Sequence, residues 1–240
     1  FTNRDSTTNI GNINLTSHST DNIYKMRLRS QFADGSFSGT APVTRFVKDL
    51  IILSAREELP ALFTSGPEGW NGDSYSLNIY TYDTRKLLSF IMPGAYIHKG
   101  TSLNVKISNK GRMDCSLNSQ RLAINTHNLQ NIALGFSNSE GKFTADITST
   151  EGDIAGFKFN DSHLKFLADS NRFGLSYSYD NHSDMENRGE VIVNGDLSRE
   201  DGELKANIAL LPSSLVLNDR HWNIMPSSAR INGKDIRIDS

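Results

Sequence analysis

A short polar stretch in the C-terminal half has the residue types of a metal site. Its carboxylates and imidazole belong to Asp180, His182, Asp184 and Glu186. Side chains of these types bind divalent metals in proteins. However, the stretch holds only one imidazole, and it is the longest polar interval between the apolar alternations that surround it. The sequence therefore predicts a solvated turn here and no metal.

Other spacings that resemble metal-binding or catalytic motifs each lack an essential member. A faint calcium-loop pattern ends at Glu200, but Arg199 occupies the position where the sharp turn needs glycine. Two carboxylate–imidazole pairs have no identifiable nucleophile beside them: Asp161 with His163, and Asp219 with His221. The chain has no G-x-S-x-G elbow, no phosphate-binding glycine loop and no H-E-x-x-H motif. We expect no enzymatic activity and no cofactor.

The charge balance and the single cysteine exclude further classes. The chain has 25 Lys and Arg against 27 Asp and Glu, a net charge of −2. This balance gives no basic face for nucleic acid and no cation cluster for an anionic membrane surface. Cys115 cannot form an intrachain disulfide, and its alternation with Met113 and Leu117 predicts an inert core residue.

The ends of the chain predict a piece excised from a longer protein. It begins at Phe1 without an initiator methionine, and it stops directly after the alternating Ile236 and Ile238. No apolar run approaches the ~18–20 residues that span a bilayer. The lack of a targeting signal in this sequence therefore says nothing about where the protein is located.

Residues 100–238 read as a ladder of short alternating strands. Leu103, Val105 and Ile107 are apolar, whereas Asn104 and Lys106 between them are polar. Successive side chains of an extended chain point to opposite faces, so this pattern gives one apolar and one polar face. The pattern returns roughly every 10–12 residues, a spacing typical of antiparallel strands joined by turns. Turns are predicted at residues 109–111, 139–141, 151–153, 180–187 and 199–202.

The first part of the chain combines strands with short helices. Thr40 and Pro42 precede an apolar stripe that predicts a helix through Ile51. A second short helix is expected from Ser54 to the residue before Pro60, and a third after Asp83 as far as Ile91. We therefore divide the chain into N-terminal strands (1–40), a helical interruption with one strand (41–94) and a continuous β ladder (95–240).

Three segments of this chain resemble recurring elements of the TamB/AsmA-like family of bacterial envelope proteins. The first is DTRKLLSFIMPG at residues 83–94, followed by IHKGTSL at residues 97–103. The second is LVLNDRHWNI at residues 215–224 with the strand that ends NGKDIRI at residues 232–238. The third is ELPALF at residues 58–63. The resemblance covers residues 58–240, and its motifs are loose.

The resemblance implies a mainly β fold, an elongated and curved antiparallel sheet that forms a U-shaped gutter with an apolar interior. Its parent proteins are anchored in the inner membrane and extend across the periplasm. They are associated with phospholipid transport to the outer membrane and with the assembly of outer-membrane proteins. The expected partners are phospholipid acyl chains and an outer-membrane barrel protein. The family brings no catalytic residues.

The residues expected to line the lipid groove are the apolar members of the alternating strands. Each acyl CH₂ buried against such a surface contributes ~0.8 kcal/mol. The predicted groove residues are Leu103, Val105, Leu122, Ile124, Leu134, Phe136, Phe143, Ile147, Phe157, Phe159, Phe173 and Leu175.

Two other interpretations stay open at the level of sequence. The same apolar residues would form the plain core of a β-sandwich or barrel, because inner faces alternate there too. Such a sandwich could be a binding module for glycan or protein that uses Trp70 in a loop, although the sequence favours an ordinary loop tryptophan folded back on the sheet. An enzyme on a β scaffold is the third interpretation, and no constellation favours it.

Overall fold

The fold is that of a computed structural model. It describes residues 2–3, 6–7, 11–53, 57–63, 70–139, 141–154, 156–180, 182, 184 and 186–239, without the side chains of residues 2, 3, 6, 7 and 157.

The chain is mainly β, as predicted, with 65% strand and 10% helix. The helices of the described part are α1 (Val43–Ile51), α2 (Arg85–Ile91) and a 3-10 helix (Pro60–Leu62). None of them is long and apolar enough to cross a membrane. The strands are β1 (Thr2–Asn3), β2 (Ser6–Thr7), β3 (Ile13–Thr20), β4 (Ile23–Ser30), β5 (Ala33–Gly39), β6 (Tyr75–Thr81), β7 (Ala95–Ile97), β8 (Ser102–Ile107), β9 (Met113–Ile124), β10 (His127–Ser139), β11 (Lys142–Ile154), β12 (Phe157–Asp169), β13 (Arg172–Asp180), β14 (Arg188–Glu200), β15 (Glu203–Leu210), β16 (Ser213–Leu217), β17 (Arg220–Ile224), β18 (Ser227–Asn232) and β19 (Asp235–Asp239).

The strands pair antiparallel with their neighbours within each part of the chain. The chain divides into two compact units. Unit 1 contains residues 1–47, 70–134 and 149–158, and unit 2 contains residues 48–69, 135–148 and 159–240. The division into segments 1–40, 41–94 and 95–240 stays a prediction.

Tight turns join the consecutive strands and fix their register. The β12–β13 turn has Ser170 and Asn171 at φ +52° and +64°, and the β14–β15 turn has Asp201 and Gly202 at φ +52° and +82°. Two successive residues of positive φ match the right-handed twist of the strands they connect. Small polar residues and glycine tolerate that backbone, so the turn predicted at residues 199–202 is confirmed.

In unit 1 the strands β3, β4, β5, β6, β8 and β9 pair in that order, and β7 pairs with β9. The register places apolar residues opposite one another, for example Phe37 opposite Leu77 and Val105 opposite Cys115. Helix α1 begins just after Pro42, as predicted, and packs on this face. The Phe46 ring centroid lies 5.7 Å from that of Phe37 and 5.4 Å from that of Tyr75.

In unit 2 the strands β12, β13, β14, β15, β18 and β19 pair in that order. Strand β16 pairs with both β14 and β17. Apolar residues again meet across neighbouring strands, as with Leu175 opposite Val193 and Val193 opposite Leu210.

Two predicted elements differ from the structure. The turn predicted at residues 151–153 is wrong, because β11 continues to Ile154 and Gly156 makes the turn, at φ +84°. The polar residues 151–153 belong to strand β11, so their polarity wrongly indicated a turn. The second predicted helix is also not found in its described part: residues 57–59 are not helical, and the 3-10 helix begins at Pro60. Its start, Ser54, lies outside the described residues. The third helix is confirmed as α2, and the Asp83 side chain accepts a hydrogen bond from the Arg85 backbone N–H at 3.2 Å.

Candidate functional site

A row of four phenylalanines crosses strands β10 to β13 of unit 2. The ring centroids of Phe136 and Phe143 are 6.0 Å apart, those of Phe143 and Phe166 are 6.2 Å apart, and those of Phe166 and Phe173 are 6.2 Å apart. These separations lie within the range of favourable aromatic pairs. We call these four residues the aromatic row. It forms a continuous row of aromatic rings across these four strands.

The same face continues over β14 and β15. Phe173 lies opposite Gly195, and Gly195 lies opposite Ile208. Most of the apolar side chains on this face are half-buried, so part of their surface is exposed to solvent. We define the apolar face of unit 2 as the aromatic row together with Leu164, Leu175, Tyr177, Val191, Val193, Leu197, Ile208 and Leu210.

Glycine makes room for side chains that lie across this face. A Cβ built on Gly195 would overlap the Phe173 ring, and one built on Gly189 would overlap the Leu215 side chain. Neither position has a left-handed backbone, so it is space and not backbone freedom that favours glycine here. The Phe173 ring and the Leu215 side chain therefore lie close to the backbone of β14.

The apolar face of unit 2 is almost free of charge. From Leu164 through β15, Arg199 is the single charged side chain among the described residues whose register places it on this face. Its guanidinium donates hydrogen bonds to the Ala61 carbonyl at 3.2 Å and to the Gly202 carbonyl. The opposite face carries Lys165, Glu190, Asn194 and other polar residues. The two faces thus differ sharply in polarity.

The segment at residues 57–63 packs against the β12–β13 turn and the end of β14. The Asn171 side-chain oxygen accepts a hydrogen bond from the Ala61 N–H at 2.8 Å, and the Asn171 N–H donates to the Glu58 carbonyl at 2.7 Å. This segment places the Glu58 side chain, 7% exposed, near Glu57 and Asp169. Burial raises the pKa of Glu58, and the two neighbouring carboxylates raise it further.

Glu58→Gln is expected to stabilise unit 2 at neutral pH. Because the pKa of Glu58 is higher in the folded than in the unfolded chain, the protonated form stabilises the fold, and this contribution is lost as pH rises through the folded-state pKa. Glutamine is close in shape to protonated glutamate and stays uncharged at every pH. Thermal unfolding should give a higher Tm for the variant at pH 7.5 and equal values at pH 3.5. A Tm that is lower than wild type at pH 7.5 would contradict this assignment.

The groove residues predicted in unit 1 fall into two environments. Val105 is 3% exposed and lies on the face against which α1 packs. Leu103, Leu122 and Leu134 are half-buried, whereas Ile124 is 45% exposed. Helix α1 therefore closes part of the apolar face in this unit.

The groove residues predicted in unit 2 are partly brought together. Phe136, Phe143 and Phe173 belong to the aromatic row, and Leu175 follows on the same face. Ile147 is half-buried and Phe159 is buried. The side chain of Phe157, a predicted groove residue that belongs to unit 1, lies outside the described residues. The prediction of the groove missed Phe166, Val193 and Leu210. The alternation could have found Phe166, but the cross-strand register could not be read from sequence.

The polar constellations do not converge on a metal centre. His182 is exposed, and its Nε2 lies 2.6 Å from an Asp161 carboxylate oxygen while its Nδ1 lies 3.4 Å from Asp180. Glu186 pairs with Arg188 at 3.4 Å. Among the residues that the structure describes, no group of three His, Cys, Asp or Glu side chains could hold a metal ion.

Trp70 contacts the turn between β8 and β9 of unit 1, and Cys115 is a residue of β9. The Trp70 indole N–H donates to the Asn109 carbonyl at 3.1 Å, and the ring is half-buried. Cys115 is half-buried opposite Val105, and burial raises the pKa of its thiol. A thiol with a raised pKa is a poor nucleophile.

Comparison with protein-family models, curated proteins and solved structures found no match to this chain. The resemblance to the TamB/AsmA-like family therefore rests on the sequence segments themselves.

Proposed function

We propose that this chain is a non-enzymatic segment of a periplasm-spanning envelope protein, in which the apolar sheet face holds phospholipid acyl chains. The parent protein would be anchored in the inner membrane. It would move phospholipid toward the outer membrane, or assist the assembly of outer-membrane proteins together with a barrel protein there. The sequence segments that resemble the TamB/AsmA-like family support this assignment.

The observation that carries the proposal is the apolar face of unit 2. It is continuous across neighbouring strands, half-exposed, and free of charge apart from Arg199, which is engaged with backbone carbonyls. A saturated acyl chain has no hydrogen-bonding group, so a face without unpaired polar groups suits it. Each buried CH₂ contributes ~0.8 kcal/mol, so contact along several strands would hold a chain without polar contacts.

Photo-crosslinking at two adjacent strand residues tests this proposal. Val193 belongs to the apolar face of unit 2, whereas Ile192 is equally apolar and half-buried but points to the opposite face. A photoreactive amino acid is placed at either position of the parent protein in cells, and phospholipid adducts are measured by mass spectrometry. We expect adducts at position 193 and background at position 192.

Comparing the labelling at positions 193 and 192 distinguishes lipid binding on the apolar face from non-specific crosslinking. Equal labelling at both positions, or none at either while the protein stays folded, would contradict the proposal. In unit 1 the half-buried Leu134 and the exposed Ala133 form a second pair of neighbours for the same measurement. We expect lipid at position 134 and not at position 133.

A further inference from the structure

The polar face of unit 1 contains a depression that the acyl-chain proposal does not use. Its volume is about 680 Å³, and its floor is formed by strands β3, β4, β5, β6 and β8. This volume is within the usual range of small-molecule sites. The side chains that the register directs into the depression are mainly those of polar residues. We call it the polar depression.

The register brings together polar residues that are far apart in sequence. Arg27 lies opposite Thr16 on one side and Ser36 on the other. Ser36 lies opposite Asn78, which in turn lies opposite Asn104. Hydroxyl and amide groups of this kind both donate and accept hydrogen bonds. The row across five strands thus offers a surface of mixed donors and acceptors.

This face also carries an excess of positive charge. Over the same five strands, the register places four cations and one carboxylate on it, which are Lys25, Arg27, Arg29, Lys106 and Asp34. The chain as a whole has a net charge of −2, so the positive charge is concentrated here by the pairing of the strands. A local excess of this kind attracts anions.

No described residue forms an ion pair with the two cations that line the depression. These cations are Lys25 and Arg27, and both are exposed. The one carboxylate in the lining, Asp34, accepts a hydrogen bond from the Tyr82 hydroxyl at 3.1 Å. A guanidinium recognises a carboxylate or phosphate through two parallel hydrogen bonds. Lys25 and Arg27 therefore present charge to a ligand.

An aromatic ring completes the lining. Tyr80 is 47% exposed, and its ring packs edge-on against Tyr82 with centroids 5.4 Å apart. Edge packing on one side fixes the ring and leaves an aromatic surface accessible. The lining thus combines cations, many hydroxyl and amide groups, and an exposed aromatic ring. A charged sugar has the groups that these side chains would bind.

We propose that the polar depression binds an acidic sugar, meaning a hydroxyl-rich ring that carries a carboxylate or phosphate. The cations hold the acidic group, the serine and asparagine side chains bond the hydroxyls, and Tyr80 packs on the ring. Such a ligand comes either as a free oligosaccharide or as the headgroup of a glycolipid. This site is independent of the acyl-chain proposal, because its residues belong to unit 1, whereas the proposed acyl-chain face belongs to unit 2.

Titration of the 240-residue chain with trigalacturonic acid, followed by calorimetry, tests the site. Maltotriose, which has the same number of rings and no charge, is the matched ligand. We expect saturable binding of trigalacturonic acid only, weakened tenfold or more by the double change Lys25→Gln and Arg27→Gln and several-fold by Tyr80→Ala. Arg237→Gln, an exposed cation of β19, should leave binding unchanged.

Vesicles distinguish the two sources of the ligand. Binding to phosphatidylinositol 4-phosphate vesicles that requires Lys25 and Arg27, without binding of trigalacturonic acid, would assign the site to a lipid-borne sugar. Binding of trigalacturonic acid would assign it to free acidic sugars. The proposal is overturned if maltotriose or inorganic phosphate binds as tightly as trigalacturonic acid. It is also overturned if the Lys25 and Arg27 variant binds normally, or if neither vesicles nor trigalacturonic acid bind.

Discussion

Phe143→Ala is expected to lower the free energy of unfolding by about 3–5 kcal/mol, the usual cost of removing a buried phenylalanine ring. Phe143 is 7% exposed and is the member of the aromatic row that contacts both Phe136 and Phe166. Its loss removes two ring pairs and leaves a cavity between β10 and β12. Since a domain is stable by only about 5–15 kcal/mol, urea unfolding should show a large shift in midpoint.

Phe136→Ala provides the comparison for this variant. Phe136 is half-buried and pairs with one ring of the row, so its removal should cost clearly less than that of Phe143. Phe143→Leu, which keeps most of the volume, retains a measurable transition if the alanine variant is unfolded. Equal losses for Phe136→Ala and Phe143→Ala would mean that the aromatic row is not packed in the order described.

The alternation of the strands was enough to predict the fold class and much of the apolar face. Phe136, Phe143, Phe173 and Leu175 could be chosen because each alternates with polar neighbours, and the structure places them on one face of unit 2. A side-chain period of two depends only on the local backbone, which is why a single sequence can show it.

The arrangement between strands could not be predicted in the same way. Gly195 looks like any strand glycine in the sequence, yet the register places it beneath the Phe173 ring. The charge excess on the polar face of unit 1 is also hidden, because Lys25 and Lys106 are far apart in sequence and the total charge is close to balance. Register is determined by turns and long-range packing together, and neither the strand lengths nor the true turn at Gly156 were apparent from composition.

Gly195→Ala is expected to destabilise the protein by about 1–3 kcal/mol, although alanine usually favours a strand interior over glycine. The added methyl group would overlap the Phe173 ring and would lie 3.1 Å from the Asn207 carbonyl oxygen. The ring belongs to the aromatic row and packs on Phe166, so it cannot move away without loss of that contact. The expected measurement is a lower urea midpoint with an unchanged slope.

Gly135→Ala is the matched control, because Gly135 is also a strand glycine of unit 2 and a Cβ there would meet no atom within 4 Å. This variant should be as stable as wild type, or up to about 1 kcal/mol more stable through the lower entropy of its unfolded state. If both variants changed stability equally, the effect would be a property of glycine in strands and not of the ring above Gly195. A selective loss at Gly195, reduced when Phe173→Leu is added, would show that the ring and the glycine are coupled across β13 and β14.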